Sequence, residues 1–104
     1  MTVPQETVAV VIVTYNRCHL LDRMLTGLAT QTHRPDVVLV VDNASTDDTR
    51  AVLARHDAEL PLKVTTTERN LGGAGGFHLG MRQAWEGGWD RVWLMDDDVV
   101  PDPG

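Results

Sequence analysis

The sequence has a single cysteine, Cys18. That excludes an intrachain disulfide framework and a multi-cysteine zinc site. Positive charge is also scarce: nine Lys and Arg stand against fifteen Asp and Glu, a net of −6. Sequence-blind binding to nucleic acid or to an anionic membrane is thereby disfavoured. Long hydrophobic runs are missing, and the longest unbroken aliphatic stretch, Val8 to Val13, is far too short to span a bilayer. The opening Met1-Thr2-Val3-Pro4-Gln5-Glu6 has no basic n-region and no long apolar h-region, so it does not read as a signal peptide. No internal repeat or low-complexity linker is visible. What is present is 104 residues, 42% hydrophobic and 23% charged. That composition suits one small acidic domain, which can bury about two-thirds of its unfolded surface. A soluble domain of a reducing compartment is expected. The densest polar cluster, Asp96 to Gly104, lies against the C-terminus, which leads to the expectation that residues 1–104 are part of a longer protein.

Four short apolar runs stand out: Val8 to Val13, Val37 to Val41, the weaker Leu62 to Thr66, and Val92 to Met95. Continuous rather than alternating runs predict strands buried on both faces, as in a parallel sheet. Helical patterns lie between them. Leu20, Leu21, Met24, Leu25 and Leu28 form one stripe. Ala51, Val52 and Leu53 predict a shorter helix starting within Ser45-Thr46-Asp47-Asp48. Phe77, Met81, Ala84 and Trp85 predict the buried face of a third helix, ended by Gly87-Gly88. The order β-α-β-α-β-α-β predicts an α/β layer structure with right-handed crossovers.

In such sheets ligands bind beyond the carboxyl ends of the strands. Each predicted strand runs into polar residues there: Thr14-Tyr15-Asn16-Arg17, Asp42-Asn43-Ala44-Ser45, Glu68-Arg69-Asn70-Leu71-Gly72-Gly73, and Asp96-Asp97-Asp98. Asp96 and Asp98, two apart on an extended chain, share a face. A divalent cation relieves the repulsion among three adjacent carboxylates, and hard oxygen ligands suit magnesium or manganese. The alternative is a solvated acidic turn. Asp42 is placed to accept from a base N–H or a ribose hydroxyl; the alternative is an Asx-turn or helix cap, a role that suits Asn43 and Asp47 better.

The segment Asn70 to Phe77 is glycine-rich and precedes a helix, so its backbone can approach a phosphate or sugar closely. The dinucleotide fingerprint fails, because His78 stands where it needs glycine, and no Gly-Lys-Ser/Thr is present for a P-loop. Gly76 and Gly80, one helical turn apart, suggest close helix–sheet packing. Tyr15 suits either stacking on a base or a core edge. Arg17 and Arg69 suit either phosphates or solvent. His78 alone does not make a metal site. Trp85, Trp89 and Trp93 read mainly as core, and Cys18 as structural.

Taken together, these elements resemble the nucleotide-sugar glycosyltransferases of family 2, which have the GT-A fold. Val11 to Arg17 looks like the first strand and its base-binding turn. Val40 to Asp47 looks like the second strand and its loop. Asn70 to Gly76 looks like the glycine-rich segment opening the third helix, and Leu94 to Pro101 like the DxD element. The likeness runs from residue 8 to 103. It implies that Thr14, Tyr15 and Asp42 line the nucleobase and ribose pocket. It implies that Asp96 and Asp98 hold Mn2+ or Mg2+ on the diphosphate, and that Asp97 contacts ribose or the donor sugar. Arg17, Arg69, Asn70, Gly72 and Gly73 would lie beside the nucleotide. A bound cation would stabilise the charge that the leaving diphosphate gains.

Arg69 to Phe77, followed by Trp93 to Asp98, is similar to bacterial galactofuranosyltransferases of cell-wall galactan assembly. Related rhamnosyltransferases, using dTDP-linked donors, share much of it. The resemblance implies a UDP- or dTDP-sugar donor and a glycan or lipid-linked glycan acceptor. It also implies an Asp or Glu general base, which is expected beyond Gly104 and has no candidate here. Residues 1–104 are thus expected to bind a nucleotide sugar and transfer nothing alone. Two other classes compete: a non-catalytic nucleotide-binding or interaction domain, and a nucleotidyltransferase. The latter normally carries a basic glycine-rich loop after the first strand, which Thr14-Tyr15-Asn16-Arg17 does not supply. Donor chemistry points to the cytoplasm, with a full-length protein at the inner membrane face. Apolar surface around Trp89 and Trp93 is expected to promote self-association.

Overall fold

The computed structural model describes residues 6–32 and 34–97. In chain order these form β1 (Val8–Thr14), α1 (Cys18–Ala29), β2 (Val37–Asp42), α2 (Thr49–His56), β3 (Leu62–Thr66), α3 (Gly72–Glu86) and β4 (Arg91–Asp96). The strands make one sheet in the order β3-β2-β1-β4, every pair parallel. The first two crossovers step one way across the sheet, and the third returns past two strands to the far side of β1. Right-handed crossovers that reverse direction must lie on opposite faces. Accordingly α1 and α2 cover one face and α3 the other.

The continuous apolar runs of β1 and β2 follow from this double cover. Val10, Ile12, Val38 and Val40 point into a core with Leu21, Met24, Leu25 and Leu28 of α1 and Val52 and Leu53 of α2. Ala9, Val11, Val37 and Leu39 point the opposite way, toward Ala84 of α3, with Phe77 and Trp89 packed alongside.

The buried face of α3 differs from the predicted one. Gly76, Gly80 and Ala84 are buried, whereas Met81 is 49% and Trp85 86% exposed. Small residues at successive turns let the helix backbone approach β1. A Cβ at Gly76 would lie 2.5 Å from Val13 Cγ1, and one at Gly80 would collide with Val11 Cγ1. That close approach was the expectation for Gly76 and Gly80. The large side chains are left on the outer side. Of the three tryptophans read as core, only Trp89 packs against the inner cluster, while Trp85 and Trp93 are exposed. Trp93 lies on β4, which has β1 on one side and no further strand on the other among the described residues. Likewise α2 starts at Thr49, later than predicted, because residues 44–48 are spent on the turn after β2.

Candidate functional site

The return of the chain past β1 opens a crevice between the carboxyl ends of β1 and β4, the place where an open α/β sheet binds ligands. The loops around it are interlocked. Asn16, in the left-handed region at φ 48°, accepts through Oδ1 from the backbone N–H of Thr46 at 2.7 Å and of Asp47 at 3.3 Å. Asp47 accepts from the Cys18 N–H through Oδ2 and from the Thr49 N–H through Oδ1, both at 3.1 Å. One carboxylate thus serves the first turns of both α1 and α2. Burial alone would raise the Asp47 pKa, but hydrogen bonds from Thr49 and Cys18 outweigh it and hold the pKa below its ordinary value. Partial burial and the Asp47 carboxylate push the Cys18 thiol up, the opposite of nucleophile activation, in line with a structural cysteine.

At the end of β2, Asp42 is fully buried. Its Oδ1 accepts from the Ser45 N–H at 3.0 Å, and its Oδ2 has no hydrogen-bond partner among the described residues. Asn43, also buried, turns to the other face and clamps the glycine-rich segment. Its Nδ2 donates to the Gly72 carbonyl at 3.0 Å, and its Oδ1 accepts from the Leu71 N–H at 3.4 Å. Gly72 has φ +76°, which glycine adopts without penalty, and its N–H donates to Asn70 Oδ1 at 2.8 Å. The β1 and β4 ends are tied by Asp97. It accepts from Thr14 Oγ1 at 3.0 Å through Oδ2 and from Arg17 Nη1 at 3.3 Å through Oδ1.

An open cleft of about 230 Å³ results. Thr14, Tyr15, Arg17, Asn70, Gly72, Gly73, Asp96 and Asp97 line it, as do Val13, Asn43 and Phe77. The first eight are residues the sequence marked. Tyr15 is 43% exposed there, which removes the core-edge alternative. Asp42 and Arg69 are not on the wall: Asp42 is buried beside it, and the exposed Arg69 contributes its carbonyl to a hydrogen bond from Thr67 Oγ1. Asp98 lies outside the described residues. Asn43 and Phe77 were missed as site residues, Asn43 as a cap residue and Phe77 as core. Position at a strand end was the available signal for Asn43.

Among the described residues no group of three or more His, Cys, Asp or Glu side chains converges as a metal cage. Asp96 offers one hard carboxylate on the cleft wall beside Asp97, whose two oxygens are engaged by Thr14 and Arg17, so Asp96 fits a divalent cation whose remaining ligands come from outside the described residues.

Residues 9–104 match the family model described as Glycosyl transferase family 2. The chain belongs to this family. Galactofuranosyltransferase GlfT1 of Mycolicibacterium smegmatis is 41% identical over 96 residues, covering 92% of this chain and 31% of that protein. S. aureus TarS 1-349, solved in complex with UDP-GlcNAc, superposes with a TM-score of 0.76 at 31% identity, over 88% of this chain and 26% of that one. Mannosyltransferase PcManGT from Pyrobaculum calidifontis, solved with GDP-Man and Mn2+, gives 0.78 at 26% identity, over 93% of this chain and 29% of the other. These neighbours carry the GT-A glycosyltransferase fold, which this family member shares. The chain spans 31% of the length of the GlfT1 relative. No described helix is long and apolar enough to cross a membrane.

Proposed function

We propose that this chain is the donor-binding part of a metal-dependent, inverting glycosyltransferase whose donor is UDP-galactofuranose. One observation carries the reading: residues from the β1, β3 and β4 ends, far apart in sequence, meet in one polar cleft where the strand order reverses. Family membership supports sugar transfer, and the GlfT1 likeness supports the donor. The UDP-GlcNAc bound by TarS supports a nucleotide sugar.

In this reading Tyr15 stacks on the base, and the unpartnered Asp42 Oδ2 accepts a base N–H or ribose hydroxyl. The Gly72-Gly73 backbone at the start of α3 faces the diphosphate. Arg17, Arg69 and Asn70 flank the nucleotide, and Asp97 contacts ribose or the donor sugar. Asp96 and Asp98 would hold Mn2+ or Mg2+, which supplies positive charge to the leaving diphosphate. The acceptor is a glycan or lipid-linked glycan. No residue of this chain is assigned as general base, so transfer by residues 1–104 alone is not expected. Nucleotide sugars place the site on the cytosolic side.

Calorimetric titration with UDP and Mn2+ tests the reading. Asp42→Ala, Asp96→Ala and Asp98→Ala are each expected to weaken metal-supported UDP binding at least about tenfold, the scale of one lost charged contact. Equal binding in all three variants and without metal refutes the site. Preference for dTDP over UDP turns the donor to rhamnose chemistry. Sugar transfer by the purified 104-residue chain refutes the donor-binding-only role.

A further inference from the structure

The cleft holds its own counter-ion. Among the described residues lining it, Arg17 is the one that is positively charged, against the two carboxylates of Asp96 and Asp97. Both oxygens of Asp97 are engaged, one by Thr14 and one by Arg17. The two partners are unlike. Thr14 is 1% exposed and fixed in the register of β1, where it lies opposite Asp42 of β2. Arg17 is in the loop before α1, its side chain 56% exposed, and it reaches the nearly buried Asp97 carboxylate through one nitrogen at 3.3 Å. A single contact of that length is not the two-pronged lock that guanidinium and carboxylate form at their strongest. A pair so exposed on one side is also weakened by solvent. Thr14 therefore anchors the carboxylate, and the Arg17 contact is the weaker and more exposed of the two.

We infer that Arg17 is an exchangeable counter-ion, paired with Asp97 while the cleft is empty of nucleotide and turned to the diphosphate when one arrives. This rests on the cleft being the nucleotide and cation site. Before the exchange, a divalent cation approaching Asp96 meets a wall whose second carboxylate is already neutralised. After it, both carboxylates and the diphosphate attract the cation. Arg17 thus makes tight cation binding wait for the nucleotide, and the two ligands assist each other through it. Arg17 is a positioning residue here, acting on Asp97 and the diphosphate without itself holding the cation.

The consequence has opposite signs for the two ligands, which a merely structural role does not produce. Mn2+ binding to the 104-residue chain is read from the free Mn2+ signal in electron paramagnetic resonance. UDP binding is read by calorimetry, each alone and together, with the Mn2+–UDP association in solution subtracted. Wild type is expected to bind Mn2+ at least about fivefold more tightly with UDP than without, the lower end of ordinary coupling between sites. Arg17→Gln is expected to bind Mn2+ alone more tightly and UDP alone more weakly, each by several-fold, and to lower the coupling to what direct attraction between cation and diphosphate supplies. Arg17→Lys keeps the charge and is expected to retain most of the coupling. If wild type binds both ligands while a folded Arg17→Gln leaves Mn2+ affinity unchanged or weaker, the exchange is overturned and the cleft reading stands. If wild type binds neither Mn2+ nor UDP, the cleft reading falls and the exchange with it.

Discussion

β1 and β4 lie side by side, pair in parallel and are both mostly apolar, yet one is buried and the other is not. Ala9, Val10, Val11 and Ile12 of β1 have no accessible surface, whereas Val92, Trp93 and Leu94 of β4 are 38%, 48% and 50% exposed. β1 has a strand on each side and helices over both faces. Among the described residues β4 has one neighbouring strand and is covered only in part: Met95 packs against the core under α1 and α2, and α3 lies near the other face. An apolar run states what a strand is able to bury; position in the sheet decides whether anything covers it. The exposed β4 surface continues into Met81 and Trp85 on the outer side of α3, a patch of the kind that marks an interaction surface.

Truncating one side chain in each strand separates burial set by sheet position from burial set by composition. Ile12→Ala is expected to cost about 2–5 kcal/mol in urea unfolding, because it leaves a cavity between β1 and α1. Leu94→Ala is expected to cost less than about 0.5 kcal/mol, as at an exposed position. Equal losses would mean that β4 is covered in solution. A second contrast lies within α3. Gly80→Ala is expected to destabilise by about 1–3 kcal/mol through its clash with Val11. Gly73→Ala, with open space around it, is expected to be neutral or to stabilise by up to about 1 kcal/mol through helix propensity.

The exposed patch also predicts self-association. Sedimentation is expected to show concentration-dependent oligomers that a Trp93→Ser, Leu94→Ser double variant reduces. A clean wild-type monomer at every concentration would count against it.

The smallest expected effect is on the covered side, where Asp22 of α1 meets His56 of α2. The His56 Nε2 hydrogen bond at 2.6 Å, aided by Arg55, holds the Asp22 carboxyl below its ordinary pKa despite partial desolvation. A depressed acid contributes stability that is present above the ordinary carboxylate range and lost as pH falls through the folded value. Asp22→Asn is therefore expected to cost below about 1 kcal/mol at pH 7. It is also expected to flatten the loss of stability below about pH 4, measured by unfolding midpoints across that range.

Much of the fold was legible because its signals are local. The β-branched runs at Val8–Val13 and Val37–Val41 lie within the observed β1 and β2. Of the predicted stripe Leu20, Leu21, Met24, Leu25 and Leu28, the last four form the buried face of α1 and Leu20 is half-buried at its edge. The third helix was misread because large residues at helical spacing looked like its core face. The close approach allowed by Gly76 and Gly80 instead turned the small residues inward. The candidate site was partly legible for a related reason. Strand ends can be found from the runs that precede them, so Thr14, Tyr15, Arg17, Asn70, Asp96 and Asp97 could be marked without coordinates. That Asn43 clamps Gly72 while Asp42 keeps an unpartnered oxygen could not, since adjacent residues at a strand end point to opposite faces and only packing shows which face holds what.

By itself the sequence determined the alternation of strands and helices, the burial of β1 and β2, and the gathering of polar residues at strand ends. Each follows from side-chain periodicity over a few neighbouring residues. The tertiary structure alone decided that Thr14 and Asp97, 83 residues apart, share a hydrogen bond, and that Arg17 joins them. Such partners are brought together by the chain's return past β1, and a contact made by the path of the whole chain leaves no local pattern to read.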